Sequence, residues 1–513
     1  HAQKHICPSM MFRGCRARFV GTLRLAAQEG NKCQVPLHLY LNKWHLRARV
    51  AAPGSIARAR VVVEPPNGEP GVAGSPGRPA SSNPEDAEQV DEDQEVPPEV
   101  SDLFDLLRGE ALRRLEEFGP IHLFSLCWAY ATARLLDAEL QQRISAAALS
   151  LGEARDRGPG GEGAAKGAMA QAHAQQLKPT GGEGSEEQPA VLAEGEHWLA
   201  LYKPPFWRVN VDSKEAARAA AAATPFEDED EGDPDEEPAA YEEQRRRPTV
   251  HAWVRQCFAA RHPICSDPVE AYGLLHRLDA QTSGLLMCAK TYVGAYWLRL
   301  QWCSYLVDKE YVCLVHGWVS PSVHEVNKRI RIDKKKAPNS RKTLSTHCTV
   351  GASGKPSYTE LRTLAHLTRT LPSLEQQPEG PVEEKYSLVV LKLHTGRTHQ
   401  IRVHMLSIGH PLVCDVKYAE DRFAADRSWC PRNFLHTYYL GFEDVPGGLS
   451  QDIEESRRSH PVELRCPLPE DLHKSLELLC PIDDASRRYC VEWLSRDSSK
   501  LRSFDEYASS LAA

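Results

Sequence analysis

Two clusters of polar residues contain the side chains best suited to catalysis. The first, at residues 276–279, has the sequence His-Arg-Leu-Asp and is followed by the Thr-Ser-Gly of residues 282–284. A carboxylate beside an arginine has its ionised form favoured, so Asp279 is a candidate nucleophile or base. An aspartate in such a turn can also serve only to cap the turn. The residue types alone leave both interpretations open.

The second cluster is the sequence Thr-Gly-Arg-Thr-His-Gln-Ile-Arg-Val-His at residues 395–404. Its two arginines and two histidines provide many hydrogen-bond donors, which suits binding to phosphates or to an acidic partner. If Thr398 caps a helix here, His399 and Arg402 lie three residues apart on one face. The same pattern is also compatible with the solvated start of a helix.

Short strand-like and helical segments around these clusters predict the fold class. Strand-like segments occur at residues 197–205, 311–319, 386–394 and 436–442, with helical segments between some of them. The sequence lacks the regular alternation of strands and helices that is typical of a parallel sheet. We therefore predict an α+β fold with a mainly antiparallel mixed sheet and flanking helices.

Changes in composition divide the chain into six segments. They are a basic N-terminal extension at 1–65, a disordered acidic linker at 66–100, a helical hairpin at 101–152, a second disordered linker at 153–190, a catalytic domain at 191–480 with an acidic insert at 213–247, and a C-terminal tail at 481–513.

The helical hairpin is predicted from apolar residues at helical spacing, from Ser101 to Phe118 and from about His122 to Leu151. Residues 123–144 are similar to single units of helical-repeat families that bind organellar RNA. Repeat arrays need at least three units for stability, and only one is visible here. We therefore favour a hairpin that packs against the rest of the chain and makes no RNA contact of its own.

The formal net charge of −8 depends on two acidic runs. Residues 84–100 carry eight acids and residues 227–243 carry eleven, and without these nineteen acids the net charge becomes +11. The first 65 residues hold eleven Lys and Arg against two acids. Such an Arg-rich and acid-poor segment is typical of organelle targeting, although it can also be a simple basic extension. We expect a mitochondrion or plastid rather than the cytoplasm or nucleus.

Several classes of protein are disfavoured by the sequence. The sequence contains no run of about 18 apolar residues, so a membrane span is not expected. The 15 cysteines form no CxxC pair and no Cys/His zinc spacing, so we predict no metal site. Their apolar surroundings instead favour buried thiols in a reducing compartment.

The two clusters and several further motifs together resemble the RluA-type RNA pseudouridine synthases. The matching motifs occur in order and are HRLDxxTSGLL with AKT at 276–291, KxY at 309–311, GK and TE within 354–360, GRTHQIRVH at 396–404, GHPL followed by Asp415 and Tyr418, FLH at 434–436, and LRCPLPEDL at 464–472. This ordered set spans more than half of the predicted catalytic domain.

The resemblance implies the pseudouridine synthase fold and isomerisation of specific uridines in RNA without a cofactor. It implies that Asp279 is the nucleophile, that Tyr311 stacks on the target uracil and that Arg402 pairs with the aspartate. Arg277 would help to displace the flipped base. Further structural or RNA-contacting supports are expected at His276, Lys290, Lys309, Arg397 and His399.

RNA is the expected partner, with rRNA or tRNA as the first candidates and mRNA as another. Residues 328–342 carry eight bases and one acid. Within them we expect Lys334, Lys335 and Lys336 to contact phosphates, although a charge run can also be a solvated loop. We expect the chain to act as a monomer, with no membrane and no small-molecule cofactor.

The sequence departs from the family pattern at two positions. Phe206 stands where the first motif of the family, Asn-Lys-Pro-x-Gly, has its glycine, and Cys414 stands where GHPLxGD has glycine. Both changes remove a flexible turn residue. Neither affects Asp279, Tyr311 or Arg402, so an active enzyme is expected. The family's N-terminal S4 RNA-binding module is not recognisable.

Two other functions are compatible with parts of the sequence. A non-catalytic RNA-binding or ribosome-assembly factor on a synthase scaffold would explain the linkers and the hairpin, but it leaves the intact catalytic motif without a purpose. A carboxylate-dependent glycoside hydrolase needs a second catalytic acid, and none stands out beside Asp279.

Overall fold

The computed structural model describes most of residues 104–512 and four short backbone segments before them. The described ranges are 20–25, 37–41, 44–49, 57–64, 104–105, 108–109, 111–158, 187–209, 249–336, 343–370, 383–446 and 460–512. Only the backbone is described for residues 20–64 within these ranges and for 334–336, 343–346 and 512. The predicted acidic linker at 66–100, the acidic insert at 213–247 and residues 159–186 of the predicted second linker lie outside the described residues.

The described strands and helices are numbered in chain order. The strands are β1 (Val20–Leu25), β2 (Leu37–Leu41), β3 (Trp44–Arg49), β4 (Ala57–Glu64), β5 (Ala190–Glu194), β6 (Trp198–Lys203), β7 (Ser283–Ala289), β8 (Asp308–His316), β9 (Glu325–Asn327), β10 (Ile330–Lys336), β11 (Thr343–Val350), β12 (Tyr358–Thr370), β13 (Glu383–Leu393), β14 (Leu435–Glu443), β15 (Pro461–Arg465) and β16 (Cys480–Pro481). The helices are α1 (Pro120–Thr132), α2 (Ala138–Arg157), α3 (Val250–Phe258), α4 (Tyr292–Cys303), α5 (Gln400–Ser407), α6 (Glu420–Arg427), α7 (Glu470–Glu477), α8 (Asp484–Leu494) and α9 (Phe504–Ala512).

A ten-stranded mixed sheet forms the centre of the molecule. Its strand order is β16-β12-β13-β8-β14-β7-β6-β5, with β9 beside β12 and β15 beside β14. Strands β14 and β7 are parallel, and the other described pairs of this sheet are antiparallel. The predicted α+β fold with a mainly antiparallel sheet is confirmed.

The parallel pair depends on a glycine. Gly284 has a φ of +121°, and a Cβ built on it would lie 2.2 Å from the carbonyl oxygen of Thr437 on β14. Any side chain at this position would therefore separate β7 from β14. The contact lies five residues after Asp279, so it fixes the strand into which the candidate catalytic loop leads.

Both faces of the sheet are covered, as the alternating residues of β8 demonstrate. Tyr311 and Cys313 belong to one apolar core, which includes residues of α1, α2 and α4. Val312 and Leu314 belong to a second core, which includes residues of α7, α8 and α9. Because neighbouring strand residues point to opposite faces, β8 is buried on both sides.

The C-terminal residues belong to this second core. Trp493 on α8 and both Phe504 and Tyr507 on α9 are almost completely buried. The prediction of a C-terminal tail at 481–513 was therefore wrong in its boundary, because these helices complete the cover of one sheet face. Their apolar residues recur at helical spacing, which is the sequence signal that was overlooked.

The N-terminal extension contains a separate four-stranded antiparallel sheet in the order β1-β4-β3-β2. Two further regions lie outside the two sheets. They are the hairpin of β10 and β11 and the pair of helices α1 and α2.

The predicted second helix of the N-terminal helical hairpin is in fact two helices. Arg134 adopts a φ of +56°, and the side chain of Asp137 accepts a hydrogen bond from the backbone N–H of Leu140 at 2.8 Å. A left-handed residue cannot continue a right-handed helix, and the aspartate is a favourable N-cap for the next one. The break therefore separates α1 from α2.

Both helices pack against the predicted catalytic domain. The carboxylate of Asp156 accepts hydrogen bonds from the N–H groups of Tyr292 and Val293, at the start of α4. Arg155 donates to Asp267 at 2.8 Å and also contacts the buried carboxylate of Glu270. The preference for a packing hairpin therefore agrees with the structure, while its RNA contact stays open.

Two expectations about composition concern the described residues as a whole. Of the twelve cysteines that the structure describes, ten are buried and two are exposed, which agrees with the expected buried thiols. Among the described helices, none combines the length and apolar character needed to cross a membrane.

Candidate active site

Asp279 lies in the loop before β7, and a buried lysine holds this loop. Lys203 at the end of β6 donates from Nζ to the carbonyl oxygens of Pro204 and Ala280 at 2.9 Å and of Thr282 at 2.7 Å. Its side chain is completely buried. A buried ammonium group needs such acceptors to offset its lost hydration. Because Ala280 and Thr282 flank the loop tip, Lys203 fixes the backbone beside Asp279.

A buried arginine holds the same loop at its other end. Arg432 donates from Nη1 to the carbonyl oxygen of Gln281 at 2.9 Å and from Nη2 to the hydroxyl of Ser283 at 2.8 Å. Its charge is balanced by Asp471, whose carboxylate accepts two hydrogen bonds at 2.7 and 3.1 Å. Lys203 and Arg432 therefore hold consecutive residues of the loop that carries the candidate nucleophile.

The Asp279 carboxylate faces the side chain of Arg402 on α5. The distance from Nη1 of Arg402 to Oδ2 of Asp279 is 3.6 Å, which is an ion-pair contact rather than a close hydrogen bond. The Nε and Nη2 atoms of Arg402 both donate to Asp415 at 2.8 Å. Asp415 thus orients the guanidinium in a bidentate pair, with its remaining edge toward Asp279.

The Arg402–Asp415 pair is fully enclosed, with 2% and 0% of the two side chains exposed. Burial alone would raise the pKa of Asp415. Attraction to Arg402 and hydrogen bonds from its guanidinium, with further bonds from the N–H groups of Lys417 and Tyr418, instead hold this pKa below its ordinary value. Asp415 therefore stays ionised and keeps Arg402 charged and in place.

Tyr418 links Arg402 to His399. The Arg402 guanidinium lies 5.0 Å from the ring centre of Tyr418, and the tyrosine oxygen lies 2.8 Å from Nδ1 of His399. The backbone N–H of Cys348 donates to the same tyrosine oxygen at 3.0 Å. Burial raises the pKa of Tyr418 to about 12, so its hydroxyl keeps a proton that it can donate to Nδ1 of His399.

The start of α5 differs from the predicted one. His399, not Thr398, occupies the N-cap position, with a φ of +54° and no side-chain cap. The Gln400 side-chain oxygen instead accepts hydrogen bonds from the N–H of Arg397 at 3.0 Å and from the hydroxyl of Thr395 at 2.7 Å. Gln400, the first residue of the helix, therefore holds the preceding turn through its side chain.

Strand β8 brings Lys309 and Tyr311 to the cleft. Residues two apart on a strand point to the same face, and both side chains line the cleft and are mostly buried. The Nζ atom of Lys309 lies 5.8 Å from the ring centre of Trp302, at the end of α4. The strand thus places one cation and one aromatic ring beside Asp279.

His276 lies at the base of the cleft and packs against the protein. Its Nε2 accepts a hydrogen bond from the N–H of Met287 at 3.0 Å, and its ring stacks on Trp302 with centres 4.9 Å apart. Burial and the nearby charge of Lys309 lower its pKa to about 3. A neutral, buried imidazole of this kind supports the cleft, so the predicted RNA contact at His276 does not agree with its geometry.

The cleft itself has a volume of about 120 Å³. Its lining includes every predicted catalytic residue and most predicted RNA contacts, namely Asp279, Tyr311, Arg402, Arg277, His276, Lys309, Arg397 and His399. Arg397 also donates from Nε to the carbonyl oxygen of Pro356 at 3.2 Å. The sequence prediction therefore selected residues that the fold brings together from four separate elements.

Other predicted residues lie elsewhere. Lys290 is outside the cleft, where it donates to Glu194 at 2.5 Å and to the carbonyl oxygen of Gly195 at 2.9 Å. These contacts connect Lys290 to the end of β5 and the turn that follows it. The side chains of Lys334, Lys335 and Lys336 lie outside the described residues, although their backbone forms part of β10.

Three residues that hold the site were given no role from the sequence. They are Lys203, Asp415 and Arg432, of which only Asp415 lies in one of the matching motifs. Each acts through contacts with residues distant in sequence. The best available signal was the charge of the side chain within an otherwise apolar segment, as in the apolar strand that ends at Lys203.

A metal site is not evident among the residues that the structure describes. Within them, no group of three or more His, Cys, Asp or Glu side chains is placed to bind a metal ion.

Part of this chain is similar to known proteins. The sequence model described as RNA pseudouridylate synthase matches residues 251–407. The chain is 32% identical over 207 residues to the uncharacterized RNA pseudouridine synthase YlyB of Bacillus subtilis, covering 40% of this chain and 55% of that protein. It is also 32% identical over 214 residues to the ribosomal large subunit pseudouridine synthase D of Nitrosomonas europaea, covering 40% and 51%.

The chain resembles the RNA pseudouridylate synthase family over residues 251–407. It spans about half the length of these curated relatives. Among solved structures, human RNA pseudouridylate synthase domain containing 1 aligns with a TM-score of 0.38 and 22% identity, covering 64% of this chain and 97% of that one. The residues matched by the pseudouridylate synthase model include Asp279, Tyr311 and Arg402. The residues that hold them, Lys203, Asp415 and Arg432, lie outside the matched range.

Proposed function

We propose that this chain is an RNA pseudouridine synthase that uses Asp279 as its nucleophile and needs no cofactor. The observation that carries the proposal is the Asp279 carboxylate in a cleft with Tyr311, 3.6 Å from the guanidinium of Arg402. The buried pair of Arg402 and Asp415 fixes the position of that positive charge. The cleft therefore offers one carboxylate, one aromatic ring and one fixed cation.

These groups match the chemistry of uridine isomerisation. The bond between N1 of uracil and C1′ of ribose breaks, and a bond forms between C5 and C1′. The C5 hydrogen leaves as a proton, and N1 gains one, so nothing is oxidised or reduced. A carboxylate that adds transiently to the ribose or the base allows this rearrangement. Arg402 would stabilise the Asp279 carboxylate when it leaves again.

The target base must first leave its stack. Unstacking costs a few kcal/mol, which base stacking on an aromatic side chain and cationic contacts with the backbone can offset. In the proposal, Tyr311 stacks on the uracil, Arg277 takes part in displacing the base, and Lys309, Arg397 and His399 support the bound RNA. The exposed part of the Asp279 side chain, 19%, is accessible from the cleft.

Ribosomal RNA is the substrate that we propose to test first, before tRNA and mRNA. A relative is named as a ribosomal large subunit pseudouridine synthase. The experiment is incubation of the purified chain with total RNA from cells that lack it, followed by mapping of pseudouridine. New pseudouridines in ribosomal RNA would support the proposal. If no RNA gained pseudouridine, the proposed activity would be abandoned.

We also propose that the hairpin of β10 and β11 contacts RNA phosphates through Lys334, Lys335 and Lys336. The base of the hairpin adjoins the site, because the N–H of Cys348 on β11 donates to Tyr418. Replacing the three lysines by glutamine should lower the slope of log affinity against log salt by up to about three. An unchanged slope would remove this role. Replacement of three charged residues outside the cleft, Lys474, Arg487 and Lys500, provides the control.

Two further proposals concern the chain as a whole. We propose that residues 1–65, with eleven Lys and Arg against two acids, direct the chain to a mitochondrion or plastid. A fusion of these residues to a fluorescent protein tests this, and diffuse cytoplasmic fluorescence would contradict it. We also propose that the chain acts as a monomer, which light scattering coupled to size-exclusion chromatography can measure.

A further inference from the structure

The mouth of the cleft carries an aromatic residue that the mechanism above does not use. Tyr305 lines the cleft, and it remains 38% exposed. It follows α4, whose last turn carries Trp302 at the base of the same cleft. An exposed aromatic ring beside a cleft is suited to stack on a base.

The backbone of Tyr305 adopts a conformation that is unfavourable for tyrosine. Its φ is +60°, in the left-handed region. The N–H of Leu306 donates to the carbonyl oxygen of Gln301, and the N–H of Tyr305 donates to that of Trp302. These two bonds define a helix end at which glycine is the usual residue. A tyrosine here costs free energy that glycine would not, which points to a use for its side chain.

The N-terminal helical hairpin fixes the orientation of this ring. The hydroxyl of Tyr305 accepts a hydrogen bond from Nε1 of Trp128 at 3.0 Å and lies 3.4 Å from the hydroxyl of Thr132, both on α1. The adjacent Ser304 contacts Cys127 at 3.0 Å. Because both anchors hold the hydroxyl end, the direction in which the side chain points is restricted before any ligand binds, which lowers the entropic cost of stacking.

We propose that Tyr305 is a stacking platform for a nucleobase that neighbours the target uridine, and that α1 holds this platform in place. The inference rests on the proposed function, since it adds a second base-binding position to the same cleft. The cationic side chains of Arg277, Lys309 and Arg397 in the cleft suit the RNA backbone, whereas Tyr305 suits a base. The helical hairpin thus contributes to RNA binding indirectly, by positioning a residue of the catalytic domain.

Binding of two oligomers tests the proposal. One is a fluorescein-labelled oligouridylate of about 12 nucleotides, and the other is the abasic oligomer of the same length, which keeps only the backbone. Tyr305→Gly removes the ring and suits the left-handed backbone, so the fold should survive, as thermal melting would verify. This variant should bind oligouridylate about 5- to 100-fold more weakly and bind the abasic oligomer as the wild type does.

A matched variant separates the ring from its anchor. Tyr305→Phe keeps the ring but loses the hydrogen bond from Trp128, so it should bind oligouridylate about threefold more weakly than the wild type and more tightly than Tyr305→Gly. Equal weakening of both oligomers by Tyr305→Gly, or no weakening of either, would overturn the proposal. The measurement does not require turnover. A wild-type chain that forms no pseudouridine in RNA would therefore refute the proposed function while leaving the base-dependent binding measurable.

Discussion

Nη1 of Arg402 lies 3.6 Å from Oδ2 of Asp279, at the edge of the guanidinium that does not face Asp415. Arg402 therefore contacts two carboxylates, Asp415 closely and Asp279 at a longer distance. The close bidentate pair with Asp415 fixes the guanidinium, and the looser contact leaves Asp279 partly accessible from the cleft. This division lets one carboxylate serve structure while the other remains available for chemistry.

Replacing Asp415 should therefore damage both stability and activity. Asp415→Asn leaves the buried guanidinium of Arg402 without its charge partner, and loss of one member of a buried pair costs about 3 kcal/mol or more. Urea unfolding measures this loss in the free energy of unfolding. If the variant unfolded within about 0.5 kcal/mol of the wild type, Arg402 would not depend on Asp415.

Lys203 should matter for the position of Asp279. Lys203→Met removes the donor for three buried carbonyl groups, including those of Ala280 and Thr282, and should reduce kcat about 100-fold through displacement of the loop. The matched control is Lys290→Met, because Lys290 is also well buried and hydrogen-bonded but lies outside the cleft. Similar losses of kcat in both variants would indicate a general loss of structure rather than a positioning role.

The two departures from the family motifs should carry measurable strain. Phe206 has a φ of +66° and Cys414 a φ of +57°, so both adopt a conformation that favours glycine. The turns at Phe206 and Cys414 therefore keep the left-handed conformation although neither residue is a glycine. Phe206→Gly and Phe206→Ala both lose the ring, but only alanine keeps the strained backbone. In urea unfolding, Phe206→Gly should therefore be more stable than Phe206→Ala by about 1 kcal/mol. Equal stability of the two variants would mean that the backbone at residue 206 is not strained.

Glu310 should make stability depend on pH. It is 1% exposed, accepts hydrogen bonds from the hydroxyl of Tyr438 and the N–H of Phe504 at 2.7 Å, and burial raises its pKa to about 8. The folded chain therefore keeps this proton up to a higher pH than the unfolded chain. Its stabilising contribution is complete below the ordinary pKa of 4.5 and declines as the pH rises toward 8.

The test for Glu310 is the variant Glu310→Gln, which cannot ionise. Between about pH 5 and 8 the wild type should lose stability relative to the variant by roughly 1 kcal/mol per pH unit, and above that range the difference should level off. The surface variant Glu463→Gln is the control. Parallel pH profiles for Glu310→Gln and the wild type would show that Glu310 does not titrate as its burial requires.

The chemical centre of the site could be predicted from the sequence because its residues fall in motifs. Asp279, Tyr311 and Arg402 lie in three separate motifs, and the fold brings them into one cleft through the β7 loop, β8 and α5. The sheet class followed from the alternation of short strands. These features depend on local pattern, which a single sequence records.

The supporting contacts could not be predicted in the same way. Lys203 and Arg432 bind backbone carbonyl groups about 80 and 150 residues away along the chain, and carbonyl groups leave no trace in the sequence. The left-handed residues Arg134 and Phe206 likewise depend on their tertiary surroundings. The proposed role of Tyr305 depends on its contact with Trp128 on α1, which is 177 residues away along the chain.

The central claim is that Asp279 performs the chemistry, and the most direct measurement compares three purified proteins on one RNA. Pseudouridine formation is quantified by mass spectrometry for the wild type, for Asp279→Asn and for Asp421→Asn, which changes an exposed aspartate on α6. The wild type and Asp421→Asn should form pseudouridine at similar rates, and Asp279→Asn should form none while still binding the RNA. Pseudouridine formation by Asp279→Asn at the wild-type rate would contradict the account.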